Sequence, residues 1–335
     1  MGRADGAGRI IKVQRTARRQ KMRDLCAVLL FLLLLPYACS LLFGKEELIR
    51  ETVAVPEREG LTVSCQSEAG ALLTGLEEYV EGALAASMPA EYEMEALKAQ
   101  AVILRTLCLK AWEEKNGTQT EGSAGIVTAE EVGQRYLDAA QRRQLWGEKY
   151  EENQARVEEA VRQTKGMYLT LAGKLLEPAY FELSAGKTRD GREVLGEGYE
   201  YLASVDCSHD IEAENYTESI LVSRERFWEK LGCDSGGRIL LTRDSADYVL
   251  YVDIGTERMA GESFRDLFGL ASSCFSLAEE GSGIRLTSKG VGHGLGFCQH
   301  EADRRAGEGE DFMALLSGFF KGAEIRKDAE QKSGG

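Results

Sequence analysis

The stretch from Met88 to Thr106 constrains the fold of this chain more than any other. After Pro89, apolar residues recur at spacings of three and four, which is the pattern of a helix with one buried face. The residues of this apolar face are Met94, Leu97, Ala101, Leu104 and Cys108. We therefore predict a helix that begins just after Pro89 and packs against the core.

The other face of this helix carries groups suited to chemistry. At about 100° per residue it holds one carboxylate, two cations, small residues and a hydroxyl. These residues are Glu95, Lys98, Ala99, Val102, Arg105 and Thr106. A face of this mixed kind is expected to line a cleft.

Composition excludes some classes of function. The chain has 335 residues, of which 43% are hydrophobic, so it can bury a core as one large or two modest domains. Its formal net charge of −14 lacks the basic footprint that binding to phosphate backbones requires, so no nucleic acid partner is expected. The eight cysteines do not have the spacing of a zinc ribbon.

The N-terminal segment predicts a single membrane anchor. Residues 1–24 form a basic tail, and residues 25–43 form an uncharged apolar run of the length that spans a bilayer. Because the positive charges precede this run, the residues after it are expected outside the cytoplasm. A cleaved signal peptide is the alternative, since small residues flank Cys39. The rest of the chain is divided into a polar tether, a folded domain and a polar tail, at 44–70, 71–325 and 326–335.

Local patterns predict an α+β fold, in which helices and short antiparallel hairpins surround the central buried helix. Helices are expected where a capping residue precedes an apolar-periodic run, and strands where apolar residues lie between turn signals. The predicted helices start at 128 and span 150–163, 223–231, 264–270 and 311–320. The predicted strands are 61–65, 167–171, 175–183, 238–242, 248–254, 273–277 and 284–288.

Three blocks of the sequence resemble the motifs of one known family. Residues 88–106 resemble the signature "MP…EALKAQAV…RT", and residues 288–300 are similar to "KGxGHGxGMSQYGA". Residues 180–188 are similar to a Ser/Gly-rich loop, "SxxGxT". These are motifs of the SpoIID family, membrane-anchored enzymes of spore-forming bacteria that cleave peptidoglycan.

The resemblance implies a lytic transglycosylase, which needs one acidic residue because the sugar's own 6-hydroxyl replaces water. Glu95 matches the glutamate of "EALKAQ" and is the implied general acid and base. The alternative is that Glu95 stabilises the helix N-terminus, as acidic residues commonly do. The family implies action on glycan strands stripped of stem peptides during engulfment, beside a partner amidase and other membrane proteins. The rival interpretation is an amidase enhancer or scaffold that holds glycan without cutting it.

Substrate contacts are expected from all three blocks. Cations, hydroxyls, an imidazole and an amide can each bond sugar hydroxyl or acetamido groups. The candidates are Lys98, Arg105, Ser184, Lys187, Thr188, Lys289, His293 and Gln299. For His293 the alternative is a structural role, in which the ring bonds the loop backbone. The glycines at 290, 292, 294 and 296 suit a backbone that takes positive φ or approaches a ligand closely.

The chain also departs from the family motifs. Ser87 stands where the family commonly has a glutamate, and the end of the block that is similar to "KGxGHGxGMSQYGA" is changed at Phe297, Cys298, His300 and Glu301. These changes leave a non-catalytic member as an alternative. No cofactor or metal is expected. The alternative is a tetrahedral zinc site, because two Cys-x-His pairs each supply a thiol and an imidazole, at 207–209 and 298–300.

Overall fold

Helices and short strands alternate along the part of the chain that the computed structural model describes, which is residues 61–67, 70–116, 125–233 and 238–327. The helices are α1 (Leu76–Ser87), α2 (Met94–Asn116), α3 (Ala129–Val132), α4 (Ala139–Trp146), α5 (Tyr150–Gln163), α6 (Gly191–Leu195), α7 (Arg224–Leu231), α8 (Gly261–Phe268), α9 (Gln299–Gly307) and α10 (Phe312–Phe319). Two 3₁₀ turns cover Gly147–Lys149 and Ser208–Glu212. The presence of both helices and short strands confirms the predicted α+β class.

The strands form five small sheets within these ranges. They are β1 (Leu61–Ser67), β2 (Gly70–Gly75), β3 (Gly125–Thr128), β4 (Met167–Leu171), β5 (Lys174–Leu175), β6 (Tyr180–Phe181), β7 (Thr217–Ser223), β8 (Ile239–Arg243), β9 (Val249–Ile254), β10 (Glu257–Ala260), β11 (Phe275–Glu280), β12 (Gly283–Lys289), β13 (Phe297–Cys298) and β14 (Glu324–Lys327). The strand orders are β2-β1-β3, β14-β4-β5, β13-β6, β10-β9-β8 and β11-β12-β7. Most pairs are antiparallel, as predicted, whereas β1 with β3 and β6 with β13 are parallel.

Helix α2 is the centre of the larger hydrophobic core. It packs against α1, α5, β4, α9 and α10, so every residue from Ala96 to Thr106 is buried. The predicted apolar face is therefore confirmed from Leu97 to Cys108. Two expectations are corrected. The helix begins at Met94, not directly after Pro89, and its polar face does not line a cleft because neighbouring elements cover it.

A second core lies between β7 and β12, residues 217–289. The sheets β10-β9-β8 and β11-β12-β7 pack with α7 and α8 around a cluster of aromatic rings. Phe264 lies at its centre, with ring centroids 4.6 Å from Phe268 and 4.7 Å from Phe275. Each aromatic side chain removes a large apolar area from water, so this smaller core is stabilised mainly by its rings.

Caps and turns explain why most predicted elements are found. Thr128 and Glu131 form the expected capping box at α3, while Ser223 and Asp311 cap α7 and α10. The hairpins β4-β5, β8-β9 and β11-β12 also lie at the predicted positions. The strand predicted over 175–183 is instead two short pieces, β5 and β6.

The folded part extends beyond the predicted domain limits at both ends. Strand β1 lies in the stretch assigned to the tether, yet it pairs with β2 and β3. Strand β14 likewise reaches into the predicted tail and pairs with β4. Within the described ranges no helix has both the length and the apolar character to cross a membrane, and the predicted anchor at 25–43 lies outside these ranges.

The glycine-rich block between β12 and β13 folds back on other segments. All four of its glycines have positive φ, as expected, from 71° to 107°. Gly296 shows why no other residue fits, because a Cβ atom there would lie 2.3 Å from the carbonyl oxygen of Ala179. At all four glycines an added Cβ atom would meet other parts of the same chain, including Phe181 of β6. The glycines therefore allow the loop to pack closely against β6 and its neighbours.

Replacing Gly296 with alanine should therefore destabilise the fold. The positive φ of 76° costs roughly 1–2 kcal/mol for an alanine, and the clash with Ala179 adds about 1–3 kcal/mol. Gly133 is the matched control, since its φ is 72° but no atom lies within 4 Å of the added Cβ. Urea denaturation of the full-length protein in mild detergent measures both variants. Equal losses for Gly296→Ala and Gly133→Ala would contradict the role of close packing.

Candidate functional site

The loop between α1 and α2, residues 88–93, is held rigidly from two sides. Arg156 of α5 donates from Nε to the Ala90 carbonyl at 2.8 Å and from Nη2 to the Tyr92 carbonyl at 2.6 Å. From the opposite side, Gln299 donates its amide to the Ser87 carbonyl at 2.9 Å. The first and second sequence motifs therefore meet at this loop.

The Ser/Gly-rich loop joins the same region through Asp210. This carboxylate lies in the 3₁₀ turn Ser208–Glu212 and is fully buried. It accepts hydrogen bonds from the Ser184 backbone N–H at 2.8 Å, from the Cys298 thiol at 3.0 Å and from His300 Nδ1 at 2.7 Å. Asp210 thus connects the Ser/Gly-rich loop to the start of α9.

The electrostatics of Asp210 and His300 follow from this contact. Burial by itself would raise the pKa of Asp210, but hydrogen bonds from His300, Cys298 and Ser184 hold that pKa below its ordinary value. The same hydrogen bond raises the pKa of His300 against the opposing effect of burial. The pair therefore favours a charged carboxylate beside a charged imidazole.

Two acidic residues, Glu93 and Asp303, also lie beside the loop. Asp303 of α9 accepts the backbone N–H of Glu93 at 2.6 Å, and Glu93 itself is exposed at the start of α2. Burial raises the pKa of Asp303, and the negative charge of Glu93 raises it further, against the hydrogen bond from the Glu93 N–H. Tyr92 lies close by, and the charges of Asp303 and Glu182 add to the burial that raises the pKa of its phenol. This is an acidic site with one exposed and one partly buried carboxyl group.

Glu95, the sequence-based catalytic candidate, has a different environment. Its carboxylate forms an ion pair with Lys98 and accepts the Phe312 backbone N–H at 3.0 Å, at the first turn of α10. Lys98 in turn donates to Gln163 at 3.1 Å and lies over the Phe312 ring. The Glu95 carboxylate is therefore held between the first turn of α2 and the start of α10.

The other candidates are dispersed. Arg105 is fully buried and uses its guanidinium to bond Glu77 and the Met167 carbonyl. Thr188 is also fully buried, and its hydroxyl accepts the Val205 N–H at 2.8 Å. Neither side chain can contact a substrate in this conformation. Lys187 and Lys289 are exposed on separate elements. Ser184 contacts Asp210 through its backbone N–H, whereas Gln299 bonds the Ser87 carbonyl.

His293 lies in the glycine-rich block, where its ring is fixed by backbone contacts. Its Nδ1 accepts the Leu295 N–H at 3.1 Å, and the ring also hydrogen-bonds the backbone of Tyr180. Burial lowers the pKa of His293, which favours the neutral ring. The residue also lines a cleft of about 360 Å³ with Leu107, Gln134, Pro178, Ala179 and Tyr180. The structure thus gives His293 a structural role and leaves sugar binding at this cleft as a prediction.

Sequence reasoning missed Asp210 and Asp303 as site residues. Neither lies in a motif position that the sequence analysis singled out, and acidic residues are common on exposed surfaces. Glu93 was passed over because Glu95 fitted the motif. A usable signal for Asp210 was its place one residue after His209, in the Cys-Ser-His-Asp run that begins at Cys207. Asp210 and Asp303 are identified only because the fold brings them close to the other site residues, not by the sequence around them.

The buried guanidinium of Arg189 lies between the larger core around α2 and the second core of residues 217–289. Arg189 donates from Nε to Asp244 at 2.6 Å, and from Nη1 to Glu262 at 2.8 Å and the His293 carbonyl at 3.1 Å. Arg189 and Asp244 are almost wholly buried. A buried pair of this kind is strongly destabilised when one partner is lost, because the other charge is left unpaired.

Arg189→Met should therefore lower the free energy of unfolding by about 3–5 kcal/mol. The matched control is Arg258→Met, because Arg258 pairs with Asp253 on the surface, where solvent screens the charges. Urea denaturation of the full-length protein in mild detergent compares the two variants. A midpoint for Arg189→Met equal to that of the control would show that the buried pair does not hold the two cores together.

Comparison with known proteins identifies the family of this chain. The profile of the SpoIID family, described as Stage II sporulation protein, matches residues 72–171. The Stage II sporulation protein D of Bacillus amyloliquefaciens is 30% identical over 254 residues, which cover 75% of this chain and 74% of that protein. The chain belongs to the SpoIID family. This membership supports a role in sporulation.

Other members show how far the similarity extends. The Stage II sporulation protein D of Bacillus subtilis (strain 168) is 28% identical over 254 residues, with 75% of this chain and 74% of that protein covered. A more distant relative, named Amidase enhancer, from the same strain is 22% identical over 304 residues. That alignment covers 73% of this chain and 40% of the relative. The similarity to the SpoIID proteins therefore reaches well beyond the profile match, across most of the folded part.

Proposed function

We propose that the chain is a lytic transglycosylase that cleaves the glycan strands of peptidoglycan during sporulation. The observation that carries this proposal is the contact between Glu93 and Asp303, whose carboxylate accepts the Glu93 backbone N–H where the loop 88–93 meets α9. This position is within the block that resembles most closely a family of peptidoglycan-cleaving enzymes. Because the pair lies at the surface, an extended strand can reach it.

The chemistry requires one carboxyl group that gives and then takes a proton. In our proposal Glu93 donates its proton to the glycosidic oxygen as the bond to C1 of the muramic acid residue breaks. The 6-hydroxyl of the same sugar attacks C1, and the Glu93 carboxylate accepts the hydroxyl proton. The products are a free 4-hydroxyl on one fragment and a 1,6-anhydro end on the other, so no water is consumed.

Asp303 prepares Glu93 for this role. Its hydrogen bond with the Glu93 N–H fixes the residue at the start of α2, and its own negative charge lies beside the reacting carboxyl group. Burial and the negative charge of Glu93 raise the pKa of Asp303, so Asp303 holds a proton more readily than a free carboxyl group does. Glu95 lacks this arrangement because its carboxylate is paired with Lys98 and with the Phe312 backbone N–H.

Substitution of the carboxyl groups tests the assignment. Glu93→Gln should lower turnover by the ~10²–10⁴-fold typical of general acid–base groups, and Asp303→Asn should lower it by a smaller factor. Glu95→Gln should instead weaken the packing of α10 while turnover stays within a few-fold. Glu91→Gln is the control, since Glu91 is an exposed neighbour on the same loop. Mass spectrometry of denuded strands measures the 1,6-anhydro ends released.

The same series can reverse the assignment. If Glu95→Gln abolishes turnover and Glu93→Gln does not, the residue implied by the motif is the catalytic one. If no variant affects turnover selectively, or the unaltered protein binds strands without releasing 1,6-anhydro ends, the chain is a glycan-binding module. An amidase enhancer or scaffold of the engulfment complex would then be the better description, in line with the distant relative of that name.

We further propose that residues 25–43 anchor the chain in the cytoplasmic membrane, with the folded domain outside. Its partners there would be glycan strands, an amidase and other engulfment proteins. The support is the basic tail 1–24 followed by an uncharged apolar run, together with family membership.

Protease added to spheroplasts should digest the folded domain while leaving a cytoplasmic marker protein intact. Without protease, the full-length chain should sediment with membranes, because the apolar run holds it there. Immunoblotting of both fractions with an antibody against the folded domain makes the measurement. Recovery of a soluble form that lacks residues 1–43 would show that the segment is a cleaved signal peptide.

A further inference from the structure

A groove of about 350 Å³ opens into the second core, between two strands that belong to different sheets. These strands are β8 and β11, and each lies at the edge of its own three-stranded sheet. At one end Arg243 of β8 donates from Nη2 to the Phe275 carbonyl of β11 at 2.6 Å. The two edge strands are therefore joined at that end, and the groove separates them beyond it.

The outer edge of β11 faces this groove. In an antiparallel pair, successive residues direct their backbone groups alternately toward the partner strand and away from it. The Cys274 carbonyl accepts the N–H of the last residue of β12 at 2.9 Å, so the next carbonyl, that of Phe275, points away from β12. Its bond with Arg243 agrees with this direction. By the same alternation, Leu277 and Glu279 direct their backbone N–H and C=O groups toward the groove.

Strand β8 presents its outer edge in the same way. The Gly255 N–H, just after β9, donates to the Arg238 carbonyl at 3.4 Å, so Ile239 and Leu241 direct their backbone groups away from β9. Among the residues that the structure describes, no strand pairs with the outer edge of β8 or of β11. Both walls of the groove therefore offer unpaired backbone donors and acceptors.

The floor of the groove holds a polar group without a partner. The Trp228 side chain is 6% exposed, and its indole N–H has no hydrogen-bond partner in the described part of the chain. A buried indole N–H usually finds such a partner. The side chains around it are apolar and include Leu241, Leu277 and Ile284. An occupant of the groove should therefore be apolar on its inner face and offer a carbonyl oxygen.

An extended polypeptide matches these features. Its backbone can pair with both walls at once, and every second side chain points to the floor. A sugar chain lacks N–H and C=O groups at the repeat of a strand, so it would leave most of both edges unpaired. Arg238 is exposed beside the groove, and no carboxylate of the described residues forms an ion pair with it. An acidic residue in the polypeptide would complement this charge.

We propose that this groove binds an extended segment of a partner protein, which inserts as a strand between β8 and β11. The segment carries apolar residues at every second position and an acidic residue beside Arg238. Insertion joins the two three-stranded sheets into one continuous sheet. Edge strands left open tend to pair with other chains, and here the apolar floor gives that pairing a defined position. This inference does not depend on glycan cleavage.

Hydrogen exchange of the full-length protein in mild detergent tests whether the edge is open. In the free protein the amides of Leu277 and Glu279 should exchange rapidly, because they lack partners. The amide of Ala278, which faces β12, is the internal control and should exchange slowly. Mass spectrometry with fragmentation to single residues makes the measurement. Slow exchange of all three amides would show that the groove is already closed, and would overturn the proposal.

A pool of seven-residue peptides tests binding. Each peptide has a glutamate at one end, threonine at the polar positions, and valine, isoleucine, leucine, phenylalanine or tyrosine at the apolar positions. In a protein carrying Trp112→Phe and Trp146→Phe, Trp228 is the remaining tryptophan, and its emission should shift when a segment covers the groove. The pool should also slow exchange at Leu277 and Glu279. A pool N-methylated at alternate residues keeps the side chains but loses edge donors, and should do neither.

Proline substitutions provide a matched pair. Glu279→Pro removes an N–H that faces the groove but leaves the β11-β12 pairing intact, so it should weaken binding of the pool roughly tenfold. Leu221→Pro places the same change on the outer edge of β7, at the other side of this sheet, and should leave binding unchanged. Arg238→Gln should weaken binding about two- to fivefold, and only for peptides that keep the glutamate. Circular dichroism confirms that each variant is folded.

Three further results would overturn the proposal. The first is a peptide pool that neither shifts Trp228 emission nor slows exchange at the edge amides, a result that depends on no edge variant. The second is equal binding of the N-methylated pool, which would mean that the groove is an apolar patch without strand pairing. The third is a shift caused by denuded glycan strands and not by the peptides, which would identify a sugar-binding groove instead.

Discussion

The arrangement of the candidate site depends on one buried carboxylate. Asp210 accepts hydrogen bonds from the Ser184 backbone, the Cys298 thiol and the His300 ring, and so joins three segments that are far apart in sequence. A charge removed from water is stable only when such partners surround it. The Ser/Gly-rich loop, the 3₁₀ turn and the start of α9 must therefore assemble together. Where they assemble, α9 brings Asp303 to the loop 88–93.

Helix α2 provides the rigid base for this assembly. Its residues from Ala96 to Thr106 are all buried, so the helix cannot shift without disrupting the larger core. Its first residues emerge from that core at Glu93 and Met94. A carboxyl group next to a fixed helix is already oriented for proton transfer. A carboxyl group on a mobile loop would lose conformational entropy before it could react. Burial of the helix and exposure of Glu93 are two consequences of the same packing.

The position of Glu95 illustrates how a motif and a structure can indicate different residues. The motif includes Glu95 with Lys98, and in the structure the two form an ion pair at the start of α10. A residue that joins two helices can belong to a family signature because the fold needs it. Glu93, two residues earlier, has an exposed side chain, and its backbone N–H bonds the Asp303 carboxylate. In the proposed reaction Glu93 transfers the proton, while the contacts of Glu95 join α2 to α10.

Much of the fold could be read from local sequence. The apolar spacing of α2, the caps at Thr128, Ser223 and Asp311, and the positive φ of the glycine-rich block all depend on neighbours along the chain. The sequence also identified the family, through three motifs in order. It was less informative for the parallel pairing of β1 with β3, since that pairing joins strands separated by β2, α1 and α2.

Only the tertiary structure decided which side chains meet. Asp210 and Asp303 lie in unremarkable polar stretches, and nothing within a few residues of either predicts that they approach the loop 88–93. Arg105 and Thr188 looked suited to substrate, yet burial commits their polar groups to the protein itself. Periodicity and capping are set by contacts over a few residues, so sequence by itself determined the elements. A site is set by contacts between segments hundreds of residues apart, which packing of the whole chain alone brings within hydrogen-bonding distance.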